Sequence, residues 1–354
     1  MHIKINNKIN FNYNKPPLII AEISCNHNGK KNSFLKHIVK AAKSGADIIK
    51  IQSYEPIDMT FKSIHKKFII NKGLWKKRNL WNLYKKAQTP FRWHKEAFNL
   101  SKKMNVPIFS TPFSTRAVDM LEKFKTPLYK IASFEITDLK LIEKIAKTRK
   151  PVIVSTGMAS LDEINRAVNL IKKYHNKIIL FYCVSGYPTP ENEVNLLNIQ
   201  LFKEKFPKLL IGISDHTNSI NSSLASTILG VVAIEKHFKI SNNVKSEDSK
   251  FSINSKELCK LKKLSKIYYS MRGKKAFQIK KSEYNSKKFR RSIYSTKKII
   301  KGEKFSKENI ETYRPNIGLC ASNYFKLIGK KSTKTLKKFS PIKKTYVVKN
   351  GSFI

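Results

Sequence analysis

The sequence has no long apolar stretch. No run reaches the length of a membrane span. The opening residues MHIKINNKINFNYN lack the apolar core of a signal peptide. The expectation is a cytoplasmic chain without membrane contact. Cysteine is scarce too. Cys25, Cys183, Cys259 and Cys320 form no CxxC pair and no disulfide-like spacing, which argues against a stapled secreted scaffold. Each stands beside apolar residues, so buried or half-buried free thiols are expected, in keeping with a reducing cytoplasm. Acidic residues are few, 24 against 71 Lys and Arg, for a net charge of +47. Within that excess arginine is rare, and Lys is spread over every helical segment beside abundant Ile and Asn. Readers of nucleic acid favour Arg forks and grouped charge. The charge therefore reads as compositional drift towards Lys, Ile and Asn, and nucleic acid is not the expected partner. The densest stretch, GKKAFQIKKSEYNSKKFRR at 273–291, fits either a basic linker or a weak polyanion contact.

What is present is a series of eight short β-rich runs. They are PLIIAEIS (17–24), DIIKIQS (47–53), VPIFST (106–111), PLYKIAS (127–133), PVIVSTG (151–157), IILFYC (178–183), LLIGISD (209–215) and VVAIEKHF (231–238). Helical patterns lie between most of them. In SLDEINRAVNLIKKY, 160–174, Ser160 and Glu163 form a capping box, and Leu161, Ile164, Val168 and Ile171 recur at helical spacing. Eight nearly continuous apolar strands alternating with helices predict an α/β fold, a (β/α)8 TIM barrel. A doubly wound open sheet is the alternative, but no GxGxxG follows the first strand. A Lys-rich helix at 255–271 closes the series. The domain organisation expected is a catalytic barrel over 1–272, a basic linker over 273–288 and a small β-rich domain over 289–354, with a helix-start signal at Ser306. The insertion at 54–89 is too long for an idle loop. Its Phe61, Trp75, Trp81 and Tyr84 suggest an ordered lid.

In a TIM barrel the active site lies at the C-terminal ends of the strands, and strand residues alternate faces with period two. Glu22 and Ser24 therefore share a face, as do Lys50 and Gln52, then Gly212, Ser214 and His216, then Glu235 and His237. Lys50 interrupts the apolar run DIIKIQ, where an unpaired ammonium is costly. A lysine snorkelling to the surface is the bland explanation. The functional one is a cation kept charged by an anionic ligand. Lys130 repeats the pattern in PLYKIAS, and two such lysines suit a phosphate or carboxylate. Thr111, Ser133, Ser185 and Ser214 end neighbouring strands and could add hydroxyls. A single strand-end histidine is usually structural. Two on adjacent strands, His216 and His237, point to a shared divalent metal with open positions for water and substrate. Asp215, Glu235 and Asp248 are possible partners of those imidazoles. His27 and His94 are not expected as ligands.

The motifs IIAEISCNHNG, KIQSY, FSTPF, YKIASFE, STGMAS, GISDHT and IEKHF, followed by RRSIY and YRPNIG, resemble the sialic acid synthase family, in order and over nearly the whole chain. Within it, GLWKKRNLWNLYKKAQTPFRWH and KIASFEITD are most similar to the pseudaminic acid synthases. N-acetylneuraminate synthases tend to read KIPSGE at that strand. The resemblance implies a barrel with a C-terminal antifreeze-like (SAF) domain. It implies condensation of phosphoenolpyruvate with an N-acylated amino sugar to a nine-carbon acid and phosphate, with Mn, Mg or Co as the metal. It assigns His216 and His237 to the metal, and Lys50, Thr111, Lys130, Ser133 and Ser214 to phosphoenolpyruvate. Ser185 stands where the neuraminate synthases have Asn. Glu22, Gln52, Glu135, Tyr187 and Asp248 match residues around the sugar, with Glu22 or Glu135 handling proton transfers. Arg314 matches an arginine that the partner subunit's small domain extends over the site, which implies a domain-swapped homodimer. The same resemblance leaves an N-acetylneuraminate or legionaminate synthase as alternatives. A polyanion-binding protein on an inactive barrel is the alternative of another class. One discord remains: Lys130 and Ser133 have opposite parity, so a bulge or the strand's end must separate them.

Overall fold

Alternation with period two divides each apolar run between two surfaces, and the fold buries both. The computed structural model describes residues 2–348. A short N-terminal hairpin pairs β1 (His2–Lys4) with β2 (Asn10–Asn12). Eight parallel strands follow: β3 (Leu18–Glu22), β4 (Ile48–Ser53), β5 (Ile108–Pro112), β6 (Tyr129–Ile131), β7 (Val152–Ser155), β8 (Ile178–Cys183), β9 (Leu210–Asp215) and β10 (Ala233–His237). They close into a barrel in sequence order, with β10 pairing β3. The TIM barrel expected from the eight runs is therefore the fold.

Helices connect the strands, most of them on the outside. They are α1 (Lys31–Lys43), then α2 (Pro56–Met59), α3 (Leu80–Ala87) and α4 (Phe91–Met104) after β4, then α5 (Thr115–Lys123), α6 (Leu139–Lys147), α7 (Leu161–Lys172), α8 (Asn198–Lys205), α9 (Asn221–Ile228) and α10 (Ser255–Arg272). Of these, α2 and α3 lie at the mouth of the barrel. The capping box of α7 forms as read. Ser160 Oγ accepts from Glu163 N at 3.2 Å, and Ser160 N donates to Glu163 Oε2 at 2.8 Å. Such a cap contributes about 1 kcal/mol. At the far end of the barrel the Lys262 ammonium, on α10, lies 2.6 Å from Asp47 Oδ1, just before β4.

The two faces of each strand bury separately. Ile19, Ala21, Ile49, Ile51, Tyr129, Ile131, Ile211, Ile213 and Ile234 pack outwards against the helices. Ile20, Ile48, Phe109, Leu128, Ile153, Phe181, Leu210 and Ala233 fill the interior. Gly212 is required there, because a Cβ would fall 2.4 Å from the Phe181 ring. The first residues are more than a leader: Ile9 and Phe11 of the hairpin join this interior cluster. No reading of the sequence assigned them, because a three-residue strand carries too little periodicity.

The chain divides between Gly273 and Lys274 into two compact units. In the second unit, residues 274–291 are exposed throughout. An antiparallel pair, β11 (Ser292–Ser295) and β12 (Ile310–Tyr313), covers a core of Ile293, Ile299, Phe305, Ile310, Leu327, Leu336 and Ile342. A one-turn helix, α11, spans Tyr324–Leu327. No helix begins at Ser306. Its backbone N–H donates to Asn309 Oδ1 at 2.7 Å and its hydroxyl accepts from Glu308 N at 3.3 Å, so local side-chain bonds close a turn instead. The thiols split: Cys25 and Cys183 are buried, whereas Cys259 and Cys320 are exposed, because their apolar neighbours pack on other faces.

No helix among the described residues is long and apolar enough to cross a membrane.

Candidate functional site

The C-terminal ends of the strands open into a cavity of about 490 Å³. Ser24, Gln52, Glu135, Tyr187, His237 and Asp248 line it, with Tyr54, Trp75, Tyr84, Phe113, Phe134 and Phe251 as its aromatic wall. Lys50, Glu22 and Glu235 do not line the cavity. Each precedes a lining residue by two positions on the same strand, or in the turn that follows it, so they form the next layer inward.

That layer is a charge cluster. Lys50 Nζ lies 2.5 Å from Glu22 Oε2 and 3.3 Å from Glu235 Oε1. Lys130 Nζ lies 2.6 Å from the same Glu235 oxygen. Ser214 Oγ donates to it at 3.1 Å, and Lys50 Nζ donates to Thr111 Oγ1 at 3.3 Å. All four charged side chains are almost fully buried. Two ammoniums and two carboxylates leave the layer near neutral. This corrects two expectations. The lysines have protein counterions, not a ligand alone, and Glu235 serves the lysines more than the histidines. Its inward parity was legible; its partners were not, since they come from β4 and β6. Burial raises the pKa of Glu22. Burial would raise that of Glu235 as well, but the Lys130 ammonium, then that of Lys50, outweighs this and holds it low.

Beside the cluster, Ser133, Ser185 and Cys183 meet over Gly157. Ser133 Oγ accepts from Gly157 N at 3.1 Å and sits 3.0 Å from Cys183 Sγ. A Cβ on Gly157 would fall 2.2 Å from Ser185 Oγ. The parity conflict between Lys130 and Ser133 resolves at the strand's end. β6 stops at Ile131, and Ser133 opens a 3-10 turn, Ser133–Glu135. Both side chains therefore reach the interior without a bulge.

At the cavity floor the ring centroids of His216 and His237 are 5.6 Å apart. His216 Nδ1 lies 2.9 Å from the Val184 carbonyl, a contact it makes as donor, leaving Nε2 for a ligand. Burial holds this imidazole neutral, with its pKa pushed down to about 3. His237 Nδ1 is buried and lies 3.5 Å from Asp248 Oδ2, which Ser24 Oγ also contacts. With metal–nitrogen bonds of about 2.1 Å, rings at this separation can share one ion. Among the described residues no group of three or more His, Cys, Asp and Glu gathers to hold a metal. Two imidazoles with oxygen from substrate or water is thus the donor set on offer. Asp215 is not a partner of these rings. It ends β9 on the outer face, where its carboxylate lies 3.1 Å from Lys236.

Tyr187 stacks near His216, at 4.5 Å between centroids, and against Trp75 at 5.7 Å. Gln52 Nε2 donates to Ser24 Oγ at 3.2 Å. Glu135 has a buried oxygen without a partner, and burial, with Asp138 nearby, pushes its pKa up to about 7. Of the insertion's aromatics, Trp75 and Tyr84 line the cavity. Phe61 instead packs on Phe68, at 4.7 Å, and is largely exposed; Trp81 is half-buried outside the lining. His27 and His94 sit in the outer packing, against Phe34 and Trp93 and against Ser53 respectively. Arg314 belongs to the second unit, exposed just after β12.

Comparison with known proteins agrees with this geometry. Residues 37–276 match the NeuB family and residues 290–348 the SAF domain. The chain is 40% identical over 329 residues to the pseudaminic acid synthase of Campylobacter jejuni, covering 93% of this chain and 96% of that protein. It is 39% identical over 327 residues to the N,N'-diacetyllegionaminic acid synthase of the same species, covering 91% and 98%. Among solved structures, the N-acetylneuraminic acid synthetase of Leptospira borgpetersenii, crystallised with citrate, superposes with a TM-score of 0.73 at 32% identity, covering 81% of this chain and 95% of that one. Shared sequence over nearly the full length of both partners, on a shared fold, places this chain in the NeuB family.

Proposed function

We propose that the protein is a pseudaminic acid synthase, a transferase that forms a carbon–carbon bond. It would join phosphoenolpyruvate to 2,4-diacetamido-2,4,6-trideoxy-L-altrose and release phosphate. The observation that carries the chemistry is the layered pocket, with two buried ammoniums under two imidazoles at the mouth of the barrel. Identity to pseudaminic acid synthase over most of the chain supports the acceptor. The legionaminic acid relative, nearly as similar, favours a legionaminate synthase as the second reading. An N-acetylneuraminate synthase has no comparable support in the sequence of β6.

In this reading Lys50, Lys130, Thr111, Ser133, Ser185 and Ser214 hold phosphoenolpyruvate, a small, multiply charged anion. Charge-assisted hydrogen bonds of this kind contribute on the order of 1.5–3 kcal/mol each. Glu22, Gln52, Glu135, Tyr187 and Asp248 surround the open-chain sugar. C3 of phosphoenolpyruvate attacks the aldehyde carbon, and C2 becomes electron-poor and is captured by water. The tetrahedral adduct then loses phosphate by C–O cleavage. A divalent ion held by His216 and His237 (Mn, Mg or Co) would polarise the aldehyde oxygen, as Lewis acids do. Glu135, its pKa near neutrality, is suited to exchange protons with the sugar oxygen or the attacking water. Trp75, Tyr84 and Phe251 keep bulk water from the electron-poor C2.

The remaining parts follow the family pattern. Residues 1–272 would be the catalytic unit, 273–288 the linker and 289–354 the SAF domain, of which residues 1 and 349–354 lie outside the described residues. The active form is a domain-swapped homodimer in which Arg314 of one copy reads the N-acyl group in the other. Free thiols suit a reducing cytoplasm.

The test is a phosphate-release assay with phosphoenolpyruvate and Mn²⁺, offering the altrose derivative, the corresponding legionaminate precursor and N-acetylmannosamine in parallel. Turnover restricted to the altrose supports the proposal. Preference for either other sugar moves the assignment. Phosphate release from none, with strong salt-dependent retention on heparin, would turn the reading towards a polyanion-binding protein.

A further inference from the structure

One buried charged cluster in the barrel takes no part in the pocket. Asp215 and Lys236 are the residues immediately before His216 and His237, and they lie opposite each other in the β9–β10 ladder. Period two points the histidines inward and this pair outward, towards α9. Both are almost fully enclosed, Lys236 at 0% exposure and Asp215 at 3%.

Their contacts converge on the turn that carries His216. Lys236 Nζ lies 3.1 Å from Asp215 Oδ2. It donates to the Thr217 carbonyl at 2.6 Å and to Thr217 Oγ1 at 3.1 Å. Asp215 Oδ1 accepts from Thr217 N at 2.9 Å. Its other oxygen accepts from Ser222 Oγ at 2.6 Å and from Ser223 Oγ. The Lys236 ammonium thus grips the chain on the far side of His216, while its own backbone leads directly into His237.

We propose that the Asp215–Lys236 pair is a positioning device for the two imidazoles, setting their separation from behind the barrel wall. The inference rests on reading His216 and His237 as metal ligands. A buried ion pair is a poor way to gain stability, because an apolar pair of similar volume often does as well or better. What an apolar pair does not supply is direction. The Lys236 ammonium ties the carbonyl and the hydroxyl of Thr217 to strand β10, and Asp215, paired with that ammonium, holds the Thr217 N–H. On the inner side the His216 ring is held by the Val184 carbonyl at 2.9 Å and by a longer contact, 3.4 Å, between Nε2 and Ser214 Oγ. A slip of β9 against β10 would pass directly into the imidazole spacing. Groups that orient ligands from outside the coordination shell characteristically alter metal affinity when removed.

The test is Mn²⁺ affinity of the full chain, measured by calorimetry and matched against thermal stability. Asp215→Asn with Lys236→Met removes both charges and leaves an acceptor for Thr217 N–H. Asp47→Asn with Lys262→Met removes an ion pair at the far end of the barrel and serves as the control. The outer-wall variant is expected to bind Mn²⁺ about 10–100-fold more weakly with its fold intact by circular dichroism, while the control binds as the wild type does. If the double variant does not fold, Lys236→Met alone carries the test, since Asp215 keeps three hydrogen-bond donors. A folded variant with wild-type affinity overturns the proposal, as does equal weakening in the control. Failure of the metal reading looks different: wild type without measurable Mn²⁺ binding, or His237→Ala binding as wild type does, removes both ideas together.

Discussion

Glu235 Oε1 and Lys130 Nζ lie 2.6 Å apart inside the barrel, and the same oxygen is 3.3 Å from Lys50 Nζ. One carboxylate therefore holds two ammoniums in the place where an anionic substrate would need them. The charge of the two lysines is thus compensated within the protein. If this is the anion site proposed above, an entering phosphate or carboxylate would meet lysines already oriented and would compete with Glu235 for them.

That competition predicts the behaviour of Glu235→Gln. Lys130 loses its main counterion, and breaking a buried pair from one side costs about 3–5 kcal/mol. The free variant should melt several degrees below the wild type. Phosphoenolpyruvate should raise its Tm by more than it raises the wild type's. A substrate-induced rise no larger than the wild type's would show that Glu235 and the substrate do not share the lysines.

Lys130→Met removes one ammonium and leaves Lys50 paired with Glu22. The KM for phosphoenolpyruvate should rise at least about tenfold, from the loss of a bond worth on the order of 1.5–3 kcal/mol. The sugar KM should change little. Steady-state kinetics with each substrate varied in turn decides this, and a larger effect on the sugar would move Lys130 out of the anion site.

Glu135 supplies a pH dependence. Its folded pKa is about 7, against an ordinary 4.5. Below the ordinary value the group is neutral in both states and costs nothing. Between the two values the unfolded chain gives up the proton while the folded chain retains it, so stability falls as pH rises. Above about 7 the loss is complete, at most about 3 kcal/mol by the linkage relation. Glu135→Gln should melt close to the wild type at pH 5 and several degrees higher at pH 8. A Tm gap independent of pH would mean that Glu135 is not held neutral by burial.

Arg314→Ala tests the second unit. If this arginine reads the N-acyl group, the sugar KM rises while that of phosphoenolpyruvate holds. Mixing Arg314→Ala with His237→Ala protein should then restore some activity, because one of the two sites in a mixed dimer has both residues. Equal shifts in both KM values, with no restoration on mixing, would argue against an arginine contributed from a partner.

The reading of particular residues shows what could be known without coordinates. Lys50 and Lys130 were visible because a charge inside an apolar run breaks the pattern. His216 and His237 were visible because each ends such a run. Parity alone placed Glu22, Ser214 and Glu235 on the inward face. The conflict between Lys130 and Ser133 correctly signalled a break, and β6 does end between them. The role of Glu235 was not visible, because its partners come from strands distant in sequence. The same holds for the hairpin that contributes Ile9 and Phe11 to the barrel interior. The turn at Ser306 was misjudged because Ser, Glu and Asn open a helix or close a turn with the same side-chain bonds. Nor did composition separate Trp75, which reaches the cavity, from Phe61, which packs on Phe68.

By itself the sequence determined the order and number of the barrel strands, the face their residues take and the chemical types gathered at the rim. Those follow from periodicity, which is local. Only the closed barrel decided which charges meet, how far apart the imidazoles stand and what braces them from behind. Such distances depend on how β9 and β10 align with β3, β4 and β6 across the interior, and no stretch of chain encodes them alone.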